Sequence, residues 1–289
     1  MRLTLAELRQ DPLYQFGSFG ETPVVIYDDD RWLLPVLASA QSDGLLPQPA
    51  LLVAFDLHHD ALPPRNGLGD IPSIRAGGYP KEALFDLVRN HLSALDDDWI
   101  KAGMELGLIS DAVAYGVHEG QPNVATTHRD HLGHEHRLFI QVGLPGSELE
   151  YQGHLSDLAR SEGLSGYWDV LGWEHSGRGG RFGFRRGLPK IIVNIDLDCF
   201  AMYWRGYHLP WPDEVFEKEF HKVSDYFSTD GLAGVDVFRD FCQRAGMITI
   251  AREPNCTGGP EKGATILRRV NRYLFGGELR LPELDTENA

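Results

Sequence analysis

The chain has 289 residues, with 42 acidic against 27 basic side chains and a formal net charge of −15 at pH 7. That balance disfavours nucleic acid as a partner and suits cationic substrates or metal ions. Three cysteines without pairing spacing, no apolar run of membrane-spanning length, and a segment Met1–Arg9 without the apolar core of a secretory leader predict a cytoplasmic protein that does not engage a membrane.

In chain order, apolar and largely β-branched runs predict strands near 23–27, 50–55, 112–116, 137–142, 190–195 and 247–251. Helix-like patterns fall between them, near 31–42, 80–95, 97–107, 212–227, 233–245 and 260–274. Pro80 after Gly77-Gly78-Tyr79, and the acids of Pro212-Asp213-Glu214, mark helix starts. This alternation predicts an α/β fold, a three-layer α/β/α arrangement around a mostly parallel sheet. Residues 61–79 and 144–189, rich in Gly, Pro and Arg, read as long loops above the sheet. No linker divides the chain, so residues 1–275 read as one domain and 276–289 as a flexible C-terminal tail.

Two acidic clusters carry the chemistry. Asp56-Leu57-His58-His59-Asp60 follows the run Ala50–Phe55, and Asp196-Leu197-Asp198 follows Ile191–Ile195. Each falls at the carboxyl end of a predicted buried strand, where open α/β sheets keep their ligands. In extended backbone, positions i, i+2 and i+4 share a side, so Asp56, His58 and Asp60 converge, as do Asp196 and Asp198, while Leu57, His59, Leu197 and Cys199 face away. Carboxylates gathered at a buried rim repel one another, and divalent cations relieve that at neutral pH. A set of oxygens with one imidazole and no thiolate favours Mn²⁺ ahead of Mg²⁺ and Zn²⁺. Together the clusters read as a two-metal hydrolytic site. Capping carboxylates with packed histidines are the plainer reading of either cluster taken alone.

The order Asp-x-His-x-Asp and then Asp-x-Asp, each after a strand, resembles the ligand pattern of arginases and other ureohydrolases. The stretches Val24–Asp28, Asp98-Trp99-Ile100 with Ala102-Gly103, and Ile248–Arg252 are similar to the branch that includes the bacterial peptide arginases, which convert arginine within a peptide to ornithine. The resemblance spans roughly residues 20 to 260, and only the two ligand motifs are specific. It implies an arginase/deacetylase-like fold, two Mn²⁺ per chain, release of urea, and an arginine-containing peptide as substrate, with free arginine or agmatine next. It also implies that Asp56 and Asp196 bridge the ions, that Asp30 and Asp60 complete one site, and that His58 and Asp198 complete the other. Asp30 stands where arginases have a histidine, in Asp28-Asp29-Asp30-Arg31-Trp32; the alternative is that these aspartates cap the following helix.

Of the remaining residues, Asp60 orients the attacking water in this reading and His118, after a predicted strand, is a candidate general acid, as is the less favourably directed His59. Glu253, in Ile248-Thr-Ile-Ala-Arg-Glu253-Pro, is placed to pair with a guanidinium, or else pairs within the chain with Arg252, Arg65 or Arg75. Asp98 and Trp99 read as an acidic helix cap with a buried indole, or as a pocket wall. His128, His131, His134 and His136 read as a solvated loop before the strand at 137–142 rather than a metal site. Trp168, Trp173, Phe182 and Phe184 supply surface for either a peptide groove or a homo-oligomer contact. Neither Gly177-Arg-Gly-Gly180 nor Thr257-Gly258-Gly259-Pro260 has the context of a phosphate loop. Two other readings stay open: a single-zinc deacetylase-like amidohydrolase using Asp56, His58 and Asp196, and a non-catalytic relative that binds basic peptides in an acidic cleft.

Overall fold

A computed structural model describes residues 2–93, 95, 97–117, 124–142, 170–171, 173–175, 182–184, 187–221 and 234–285. Among the described residues thirteen strands form in chain order: β1 (Gln15–Phe19), β2 (Thr22–Tyr27), β3 (Ala50–Phe55), β4 (Ile109–Val117), β5 (Val124–Arg129), β6 (Glu135–Val142), β7 (Trp173–His175), β8 (Phe182–Phe184), β9 (Ile191–Asp196), β10 (Ala201–Trp204), β11 (Tyr207–Pro210), β12 (Ala245–Ala251) and β13 (Leu279–Arg280). Nine make one sheet in the order β13-β1-β2-β12-β9-β3-β4-β6-β5. The six from β2 to β6 are mutually parallel, and β1, β13 and β5 add antiparallel edges.

The parallel strands are the β-branched runs of the sequence, and their alternation splits the core in two. Val24, Ile26, Val53, Phe55, Val193, Ile195, Ile248 and Ile250 belong to one buried cluster, with Phe238, Phe241, Ile266 and Val270 from the helices Gly234–Arg244 and Pro260–Tyr273. Val25, Tyr27, Leu52, Ala54, Ile192 and Met247 belong to the other, with Leu34, Leu37, Ile100 and Met104 from Leu33–Ser42 and Trp99–Leu106. Helices therefore cover both faces, as a largely parallel sheet requires. The helix Trp99–Leu106 lies close enough that a Cβ on Gly103 would sit 2.5 Å from Ile109 Cδ1. Among the described residues no helix is long and apolar enough to cross a membrane.

The structure departs from the sequence reading at the margins. The stretch 61–79 contains a helix, Ile71–Ala76, entered through Pro72. Helical pattern near 80–95 resolves into Lys81–Asp86 and a wider turn, Leu87–His91. The tail expected over 276–289 is ordered in its described part: Leu279 pairs with Phe19, Arg280 with Ser18, and Leu281 is buried. Burial of Leu279 and Leu281 over the edge of β1 fixes a segment whose polar composition suggested fraying.

Candidate metal centre

Register brings the acids together. Phe55 lies beside Ile195, Asp196 beside Ala251, and Ala251 beside Tyr27, so the carboxyl ends of β3, β9, β12 and β2 are level across four neighbouring strands. Asp56, Asp196, Glu253 and Asp30 all follow from those ends.

The convergence comes from turns, not from the extended alternation expected of each motif. Asp56 Oδ1 accepts the His58 backbone N–H at 2.7 Å, and Asp196 Oδ1 accepts that of Asp198 at 2.9 Å, each chain folding back on its own aspartate. Leu197–Phe200 continues as a 3₁₀ turn, and Cys199 packs into the core, where burial pushes its thiol well up. Asp198 accepts from Leu57 N–H at 3.3 Å and lies 3.2 Å from His58 Nδ1, an imidazole 54% exposed that forms the open side of the centre. The Asp198 contact raises the pKa of His58.

Deeper in, Asp30 opens the 3₁₀ turn Asp30–Trp32, and its own N–H donates to Glu253 Oε1 at 2.9 Å. Its Oδ1 accepts from Asn194 Nδ2 at 3.1 Å. The Asn194 amide is in turn fixed, because its oxygen accepts from the Tyr27 and Thr249 hydroxyls, each at 2.8 Å. Asp60 has φ 42° and accepts the Trp99 indole N–H at 2.6 Å. Trp99 is thus a buried indole that orients Asp60. Asp98 occupies the N-cap position, its carbonyl accepting the Ala102 N–H at 3.2 Å, but its side chain instead accepts the backbone N–H groups of Ser93 and Arg65 and ties two loops together. Sequence reading missed the roles of Asn194, Tyr27, Thr249 and the Trp99 N–H; polar residues inside apolar strands were the available signal.

Two ligand triads result, each with its three donor atoms within 4.8 Å of one another: Asp56, His58 and Asp198, and Asp30, Asp56 and Asp60. Asp56 belongs to both. Asp196 sits in the same cluster, facing the charges of Asp198, Asp30 and Asp56, but joins neither triad. Burial, then mutual repulsion, drives the carboxyl groups of Asp56, Asp60 and Asp196 well above the usual carboxylate range. Glu253, also at φ 42°, is pushed up to about 9 by burial and by Asp30. Of the arginines expected as its partners, Arg252 pairs with Asp28 at 2.7 Å and Arg75 with Asp130 at 2.8 Å.

His118 lies outside the described residues, as do Trp168 and the side chains of Trp173, Phe182 and Phe184; β7 and β8 pair antiparallel. His59 accepts the Ala61 N–H at 3.3 Å. The histidine-rich stretch is not a solvated loop. His128 belongs to β5, His136 is buried in β6, and both His128 and His131 contact Glu105, at 2.7 and 2.8 Å. Asp130 gathers Arg75, His134 and the N–H groups of Leu132 and His134. The partner that fixes two of these histidines, Glu105, lies on a helix distant in sequence.

Neither a scan against protein-family models nor a search of curated proteins returns a match for this chain.

Proposed function

We propose that this protein is a Mn²⁺-dependent hydrolase of the guanidino group of arginine, acting on arginine within a peptide to give ornithine and urea. The observation that carries the reading is the pair of ligand triads sharing Asp56 at the carboxyl edge of a parallel sheet. Motif order supports it, being similar to that of the ureohydrolases.

The residues suit a pair of divalent cations. Asp56 Oδ2 is buried without a hydrogen-bond donor, in contact with the Asp60 carboxyl group, an arrangement that a cation neutralises. Carboxylates with one imidazole make a hard, oxygen-rich set. Asp30, Asp56 and Asp60 would hold one ion and Asp56, His58 and Asp198 the other, with Asp196 close by in the same cluster. When bound, the cations supply Lewis acidity and lower the pKa of water to about 7. Asp60, its carboxylate aimed by Trp99, accepts a hydrogen bond from the attacking water. Glu253 offers a planar acceptor to the planar guanidinium while its other role is to hold the Asp30 turn. The Asp30 triad favours two ions over the single zinc of a deacetylase-like site, which leaves Asp30 and Asp60 facing each other without a cation.

The test is elemental analysis of untagged protein after Mn²⁺ loading, paired with urea release from an arginine-containing peptide. Two ions with urea released, both lost in Asp196→Ala, is the expected result. Two ions without urea redirects the search to other amides or amidines, and no bound metal overturns the reading in favour of a peptide-binding module.

A further inference from the structure

Eight large apolar side chains stand exposed among the described residues, and four of them, Tyr203, Trp204, Tyr207 and Leu209, lie on the hairpin β10–β11. The others are leucines scattered at 62, 68, 95 and 132, so the hairpin is where exposed apolar surface concentrates. Met202 lies opposite Leu209, Tyr203 opposite His208 and Trp204 opposite Tyr207. Opposed residues share a face, which puts Met202, Trp204, Tyr207 and Leu209 on one side and Ala201, Tyr203, His208 and Pro210 on the other.

The second side is anchored at His208, while Tyr203 on the same side stands 68% exposed. The His208 carbonyl accepts a hydrogen bond from Lys262 Nζ at 2.7 Å, and a Cβ on Gly258 would lie 3.0 Å from His208 Cβ. Those contacts seat the hairpin on the segment that follows Glu253. Its other attachment is the turn Leu197–Phe200, which carries Asp198. The hairpin therefore continues in sequence from the turn that carries Asp198 and packs on the segment after Glu253, with Trp204 56% and Tyr207 64% exposed on the side away from His208. Arg205, at the tip, stacks its guanidinium 4.7 Å from the centre of the Trp204 ring.

We infer that the Met202–Trp204–Tyr207–Leu209 face docks the apolar residues that flank arginine in a polypeptide substrate. This rests on the arginine reading of the metal centre. Charge decides what enters the cluster, a cation, and the hairpin receives the uncharged chain attached to it. Met202 lies four positions beyond Asp198, a reach of at most about 14 Å, so positions within about four residues of the arginine contact this face. A free amino acid, with charged groups on its α-carbon, gains nothing from an aromatic and aliphatic surface, whereas a peptide does.

Two probes separate the possibilities: an end-capped, fluorescein-labelled heptapeptide with central arginine flanked by leucine and valine, and agmatine. The variants are Trp204→Ser/Tyr207→Ser together and Leu209→Asp alone, all at exposed positions. Expected for the double variant is a fall of about 10- to 100-fold in kcat/KM on the heptapeptide, carried by KM, and a matching loss of binding by fluorescence anisotropy. Agmatine turnover and bound Mn²⁺ stay within twofold, and Leu209→Asp shifts the same way by less. Equal loss on both probes, or none on the heptapeptide, overturns the docking role. Gel filtration showing a wild-type dimer that the double variant breaks, with peptide kinetics unchanged, assigns the face to a second copy instead. If neither probe yields urea, the arginine reading fails, and anisotropy still judges the hairpin: heptapeptide binding lost in the variant sustains the surface, and no binding by the wild type overturns it.

Discussion

At the amino edge of the sheet, Glu105 and Asp130 are buried among partners. His128, His131 and the His131 N–H satisfy Glu105, while Arg75, His134 and two backbone N–H groups satisfy Asp130. Burial alone raises both carboxyl groups, but these hydrogen bonds outweigh it and hold them below their usual range. At the carboxyl edge, Asp56, Asp60 and Asp196 face one another and are pushed the opposite way. The same fold thus contains acids that are complete in themselves and acids that face one another without compensating donors, and the two kinds are shifted in opposite directions.

The sharpest way to test that contrast is Asp56→Asn. Loss of the shared ligand is expected to remove both ions and cut urea release by about a thousandfold or more, checked by elemental analysis and a urea assay. The same variant, free of metal, is expected to melt about 3 °C higher than the metal-free wild type, because one buried like charge is gone. Asp130→Asn is expected to act oppositely, lowering stability by about 3 kcal/mol and the melting temperature by about 6–10 °C, since it strands Arg75 among fewer acceptors. A melting scan in which both variants move in one direction breaks the comparison. Asn194→Leu frees the Asp30 carboxylate, and Mn²⁺ titration calorimetry should show one of two ions held about 10- to 100-fold more weakly. Adding Asn194→Leu to an Asp30→Asn variant should produce no further weakening, because Asn194 acts through Asp30.

The smallest effect is in pH. Folded Glu105 and Asp130 titrate below their ordinary values of 4.5 and 3.8, so their stabilisation is full above those values and lost as pH falls through the folded ones. The melting gap between wild type and Asp130→Asn should stay constant above about pH 5 and narrow below about pH 4. A gap that widens on acidification contradicts the sign.

Much of this was legible in the sequence, for physical reasons. The six parallel strands announce themselves because a strand buried on both faces must be apolar throughout, and an aspartate just past such a run has nowhere to go but the rim. Edge strands β1, β5 and β13 carry no such signature, being part-exposed or only two residues long. The histidine-rich stretch misled because its partner Glu105 belongs to another element, and pairing across that distance leaves no local trace. Asn194 and Thr249 sit in apolar strands, where their polarity hinted at a role, but only register showed that both serve Asp30.

Two of the four non-glycine residues with positive φ among the described residues are Asp60 and Glu253, both at 42°. Left-handed backbone costs about 1 kcal/mol or more for a residue with a side chain, and glycine occupies it freely. Glycine at 60 or 253 would relieve that strain but would also take the acceptor from the Trp99 indole N–H or from the Asp30 backbone N–H, so each strained turn is held by the hydrogen bond its carboxyl group accepts.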